Sequence, residues 1–120
     1  MKNNYINEKD GVKIPDICGE VIELLNRENS DCKSMSIATL FIEPNKSSLK
    51  HYHKAMEEIY YVVDGEGEVY INNNLIKISP GSAILIPVNT IHQIKNTGST
   101  ILKFISIDSP PFIDSDIYTD

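Results

Sequence analysis

Residues Lys50 to Gly67 read KHYHKAMEEIYYVVDGEG. His51 and His53 stand two apart, and on an extended chain residues i and i+2 point to the same face, so both imidazoles look the same way. Glu57 and Glu58 follow, then an apolar stretch, Ile59 to Val63, then the turn Asp64-Gly65-Glu66-Gly67. Two imidazoles and a carboxylate converging from neighbouring strands suit a borderline divalent transition metal. A second stretch, Gly81 to Asn96, supplies a fourth candidate ligand in His92. All three histidines of the chain thus belong to one candidate site.

Outward from this stretch the pattern is β. Strands are predicted at Ser48–His53, Glu58–Val63, Glu68–Ile71, Leu75–Ile78, Ser82–Ile86, His92–Lys95 and Thr100–Ile107. They are separated by Gly, Asn and Pro turns, which accept positive φ or stop a ladder. Met35 to Ile42 (MSIATLFI) is β-branched and apolar on both faces, which predicts a strand buried on both sides. Short strands at regular spacing predict an all-β, antiparallel sandwich or barrel. Before it, Ile17, Val21, Leu24 and Leu25 have helical spacing that Gly19 interrupts, leaving a short helix or an irregular strand. Residues 1–13 read as loose chain or as a short edge strand swapped onto a partner, and Asn26 to Lys33 as a loop. Pro110-Pro111 ends the β region, with Phe112 and Ile113 expected on the outside of the barrel.

At 120 residues, with 41% hydrophobic and 23% charged residues, the chain reads as one soluble globular domain. Its organisation is read as an N-terminal extension (1–34), a barrel (35–107) and an acidic tail (108–120). The net charge is −6, and residues 108–120 carry Asp108, Asp114, Asp116 and Asp120 with no base. This tail is expected to be solvated, and the charge argues against nucleic acid or an anionic membrane as partner. The N-terminal stretch lacks an apolar h-region, so no signal peptide is expected. Cys18 and Cys32 lack metal-pair spacing and read as reduced thiols in the cytoplasm.

These residues resemble the cupin superfamily. Its first motif runs Gly, five residues, His-x-His, three or four residues, Glu, six residues, Gly, and here His51, His53, Glu58 and Gly65 fall in register. Its second runs Gly, five residues, Pro-x-Gly, two residues, His, three residues, Asn, matched by Gly81, Pro87, His92 and Asn96. Fifteen residues, Glu66 to Pro80, lie between the motifs. Asn45 and Asn89 stand where the motifs usually have Gly, and Asn is the next most tolerant residue for left-handed geometry. The resemblance covers roughly residues 35–107. It implies a double-stranded β-helix (jelly-roll barrel) holding one divalent transition metal (Fe, Mn, Ni, Co, Cu or Zn) by His51, His53, Glu58 and His92. It also implies a homodimer.

Glu57 and Glu58 point to opposite faces of a strand and compete for one ligand role. The interval to Gly65 favours Glu58, leaving Glu57 solvated or orienting a histidine. Tyr60 would share the Glu58 face, either as proton donor or substrate contact or as an ordinary barrel-lining aromatic. Asn96 is expected to satisfy backbone groups at a turn. Alternation turns Lys50, Lys54 and Lys95 outward, and apolar neighbours exclude Lys77 and Lys103 from the interior. The cavity would then hold no fixed cation except the metal, which disfavours a phosphorylated substrate and favours a small neutral molecule or a mono-anion ligating the metal.

Three functions compete. The first is a metal-dependent enzyme acting on a small organic substrate by isomerisation, oxygenation or lyase chemistry. The second is a non-catalytic binding or sensor module, and the third a storage or structural barrel. An intact four-ligand set favours the first, because scaffolding alone does not need it.

Overall fold

The computed structural model describes residues 3–119. Among them nine strands are formed: β1 (Lys13–Asp16), β2 (Gly19–Leu25), β3 (Ser36–Ile42), β4 (Glu57–Asp64), β5 (Gly67–Ile71), β6 (Asn74–Ile78), β7 (Ala83–Ile86), β8 (His92–Asn96) and β9 (Leu102–Ser109). Two single turns of 3-10 helix lie at Glu8–Asp10 and Asp114–Asp116. The strands build a six-stranded sheet, β1-β2-β3-β9-β4-β7, facing a three-stranded one, β6-β5-β8, and every pairing is antiparallel. This is the all-β double-stranded β-helix. Among the described residues no helix is long and apolar enough to cross a membrane.

Inward-facing residues alternate along the strands and meet between the sheets. Tyr60 and Val62 from β4, Leu102 and Phe104 from β9, Val69 from β5 and Ile94 from β8 are at most 1% exposed. β3 is a central strand flanked by β2 and β9. Its outer face is partly covered by the N-terminal segment, where Thr39 Oγ1 donates to Glu8 Oε1 at 2.7 Å and Lys103 Nζ to Glu8 Oε2 at 2.8 Å. Lys103 is thereby held on the outside.

The turns carry the backbone strain. Asn45 (φ 65°) and Asn89 (φ 60°) are left-handed, which Asn tolerates best after Gly. Gly65 has φ +87°, and a Cβ there would lie 2.7 Å from the Ile101 carbonyl oxygen. Both steric conditions require glycine at that motif position.

One open alternative is decided and three expectations are corrected. The Ile17–Leu25 region holds no helix: it is a β1–β2 hairpin with Asp16 opposite Gly19, and Gly19 at φ +116° belongs to its turn. The Ser48–His53 strand is absent; this stretch makes isolated bridges only, Ser47 to Lys95, His51 to His92 and Tyr52 to Tyr118. Phe112 lines the interior cavity instead of the outside of the barrel. The acidic tail is not simply solvated, since Asp108 and Asp116 are each 4% exposed. Asp108 ends the inward alternation Leu102, Phe104, Ser106, Asp108 of β9.

Candidate metal centre

Three elements deliver the four candidate residues. His51 and His53 come from the irregular segment beside β8, Glu58 from the second position of β4, and His92 from the first position of β8. The main-chain pair of His51 and His92, at 2.9 and 3.0 Å, fixes their spacing across the barrel mouth. All four side chains are buried, whereas Glu57 is exposed. The three imidazoles each have a ring nitrogen within 4.8 Å of the others. Glu58 Oε1 lies 3.4 Å from His53 Nε2 and 3.5 Å from His92 Nε2.

The hydrogen bonds settle the tautomers. Nδ1 of His51, His53 and His92 lies 2.7, 2.7 and 2.9 Å from the carbonyl oxygens of Leu49, Asp116 and Thr90. A carbonyl only accepts, so Nδ1 carries the hydrogen, and in the neutral ring Nε2 keeps its lone pair. Among the described residues, His53 Nε2, His92 Nε2 and Glu58 Oε1 are buried with no hydrogen-bond partner. Buried lone pairs facing each other are costly unless something positive sits among them. A divalent cation fits this donor set, and the outer hydrogen bonds are those that orient histidine ligands.

The electrostatics of His51 and Glu58 agree with that fit. Burial, with neighbouring His92, pushes His51 down to about 4, so it is neutral at pH 7, as ligation requires. Burial alone would raise Glu58, but the His53 and His92 rings, at 3.4 and 3.5 Å, and the neighbouring Asp108 carboxyl outweigh it and hold the Glu58 carboxyl well below its ordinary value. Burial also opposes a charged His53, yet Glu58 and the Asp116 carbonyl lift it overall.

Several residues here were not marked by their sequence. Ser106 Oγ lies 2.9 Å from Glu58 Oε2 and 3.2 Å from Asp108 Oδ1. Asp108 stands directly opposite Glu58 in the β4–β9 register. Burial and the Glu58 charge push its carboxyl up to about 10, so it keeps a proton beside Glu58. Tyr60 packs edge-on against His92 (6.1 Å between centroids) and tilted on Phe104 (4.8 Å). Burial first, then Glu58, holds its phenol well above the ordinary value. Asn96 serves the backbone, donating to the Ile42 and Thr100 carbonyls and accepting from Gly98 N–H. Cys18 and Cys32 are free thiols, and Cys18 is buried in the cavity wall.

The cavity beside the histidines has a volume of about 30 Å³ and is lined in part by Asp16, Glu23, Glu58 and Asp108, with no Lys or Arg among the described residues. Glu23 is half-buried on the inward face of β2. Burial raises its carboxyl, and a hydrogen bond from Asn26 offsets this only in part. Its folded pKa therefore exceeds the unfolded one, and its contribution to stability is lost as pH rises through the carboxylate range. Glu23→Gln is expected to gain stability relative to the parent at pH 7 but not at pH 4, read from urea unfolding at both values. An equal difference at both would contradict the burial of this carboxylate.

The fold and the buried histidine cluster define a small barrel with a candidate metal site. Residues 38–108 match the Cupin domain family, and the chain belongs to that family. An uncharacterized protein of Methanocaldococcus jannaschii is 32% identical over 82% of this chain and 79% of its own length. A Thermotoga maritima protein named as an oxalate-binding protein is 32% identical over 73% of each chain. The crystal structure of a protein described as a "predicted oxalate decarboxylase" from Thermotoga maritima superposes with a TM-score of 0.78 at 26% identity, covering 88% of this chain and 98% of that one.

Proposed function

We propose that this chain is a metal-dependent enzyme of the cupin family that binds one divalent transition metal through His51, His53, Glu58 and His92. The observation that carries this reading is the buried convergence of unpartnered Nε2 and Oε1 atoms. When bound, such an ion supplies Lewis-acid polarisation of a substrate oxygen, or redox chemistry if it is iron or manganese. Ser106 holds Glu58 by Oε2 and leaves Oε1 for the site. Tyr60, with its phenol kept protonated, is a proton donor beside His92.

The substrate class is a small organic molecule, neutral or mono-anionic, sugar- or keto-acid-like, converted by isomerisation, oxygenation or lyase chemistry. The cavity lining carries carboxylates and no Lys or Arg, so a carboxylate substrate would be held by the metal itself and a phosphorylated one would lack a fixed cationic partner. The relative named for oxalate binding supports a small metal-ligating carboxylate. That same name also favours the second reading, a binding module without turnover; product formation from candidate substrates by the metal-loaded protein separates the two. The test of the ligand set is a pair of variants. Glu58→Gln is expected to weaken metal binding at least about tenfold, and Glu57→Gln, on the outer face, to leave it unchanged, both measured by calorimetric titration of stripped protein. The reverse result would overturn the register.

We place the protein in the cytoplasm as a homodimer. Support for the dimer comes from the outer face of β4 and β7, where Ile59, Tyr61, Val63 and Leu85 are 40–53% exposed and Ile59 pairs with Leu85. An apolar face of this kind marks an association surface. Leu85→Asp is expected to shift the protein to monomer in sedimentation velocity; an unchanged dimer would move the interface elsewhere.

A further inference from the structure

The segment that follows β9 returns to the histidines and is built into their surroundings at three points. Tyr118 and Tyr52 exchange main-chain hydrogen bonds at 2.9 and 3.0 Å, and their rings stack with centroids 5.4 Å apart. The Asp116 carbonyl oxygen accepts from His53 Nδ1–H at 2.7 Å. The Asp116 carboxylate accepts from three successive amides: Oδ1 from Lys54 (2.9 Å) and Ala55 (3.1 Å), Oδ2 from Ala55 (3.2 Å) and Met56 (3.1 Å). Those amides lie in the connection between His53 and Glu58. Asp116 is 4% exposed, so this is a buried anion satisfied by a nest of main-chain donors.

One residue therefore holds an imidazole through its carbonyl and the loop between two candidate ligands through its carboxylate. Without the carbonyl, the His53 ring is free to rotate and to change tautomer, and Nε2 loses its direction. Without the carboxylate, three buried amides lose their acceptor and the His53–Glu58 spacing relaxes. Ile117, the next residue, lines the cavity as well.

We infer that residues 113–119 form a strap that sets His53 for metal binding, with Asp116 as its positioning residue. The inference rests on the metal-binding reading above. Linkage makes it reciprocal: if the strap favours the metal, the metal stabilises the strap by the same factor. A purely structural clasp would gain from the metal no more than the fold as a whole does.

The test uses the full chain, stripped with chelator and titrated with Co²⁺. In the parent protein, Co²⁺ is expected to slow amide exchange at Tyr52, Lys54, Ala55, Met56 and Tyr118. Asp116→Ala keeps the carbonyl but frees the strap and loop that aim it, and is expected to weaken Co²⁺ binding about 10–100-fold, to alter the visible Co²⁺ absorption, and to abolish the metal-dependent slowing. Asp116→Asn keeps one acceptor oxygen and is expected to restore part of the affinity. Should Asp116→Ala not fold, Asp116→Asn and parent exchange carry the test. Co²⁺ binding in the parent with no slowing at these amides, or with unchanged affinity and spectrum in a folded variant, overturns the strap while leaving the metal site standing. No Co²⁺ binding in the parent overturns both.

Discussion

Replacing His92 by alanine is expected to lower divalent-metal affinity by at least about 100-fold, beyond what losing an orienting partner costs. His92 is fully buried, its Nδ1 is tied to the Thr90 carbonyl, and its ring lies 4.2 Å from that of His51 between centroids. No other imidazole can replace it, because the chain has three histidines and the other two are already in the cluster. The consequence reaches stability. A ligand present at a hundredfold its dissociation constant adds about 2.7 kcal/mol to the folded state. Adding metal to the stripped parent is thus expected to raise the unfolding temperature by several degrees, and adding it to His92→Ala to leave it unchanged. A variant that still responds like the parent would remove His92 from the ligand set.

Phe104→Ala is expected to cost about 3–5 kcal/mol, the range for removing a buried aromatic ring, out of a typical total of about 5–15 kcal/mol. Phe104 is fully buried, stands opposite Leu40 on β3 and Val62 on β4, and carries the Tyr60 ring on its face. Those neighbours belong to central strands on both sides, so the void cannot close by moving a loop. The loss also frees Tyr60, which separates Phe104 from His92. Guanidinium unfolding of the stripped protein measures the first effect without contribution from metal. A loss below about 1 kcal/mol would mean that the barrel repacks around the gap, contrary to close-packed interiors.

The strands on either side of the Gly, Asn and Pro turns were legible because their punctuation is local: a turn needs a particular φ, and Gly65, Asn45 and Asn89 announce it. The helix-or-strand alternative at Ile17 to Leu25 was not, because helical spacing and a hairpin around Gly19 use the same four apolar residues. Ser48–His53 reads as a strand since it is extended, but it pairs with β8 only at isolated points. Around the histidines, what local pattern could not reveal lies far away in the chain. Asp116 meets His53 across 63 positions and Ser106 meets Glu58 across 48. Asp108 had a signal, the alternation Leu102, Phe104, Ser106, but an acid at the head of an acidic stretch reads as solvated. Burial opposite Glu58 reverses that, and only the register supplies it.

The central claim, that the three histidines and Glu58 hold one transition metal, is tested most directly by elemental mass spectrometry of untagged protein purified without chelator. The expected result is one ion of iron, manganese, nickel, cobalt, copper or zinc per chain, lost in His92→Ala. Iron or manganese would direct the search to oxygenation or lyase chemistry, and zinc, nickel or cobalt to isomerisation or static binding. Near-zero metal in the parent, with no uptake when these ions are supplied, would contradict the claim and leave a barrel that binds its ligand without metal.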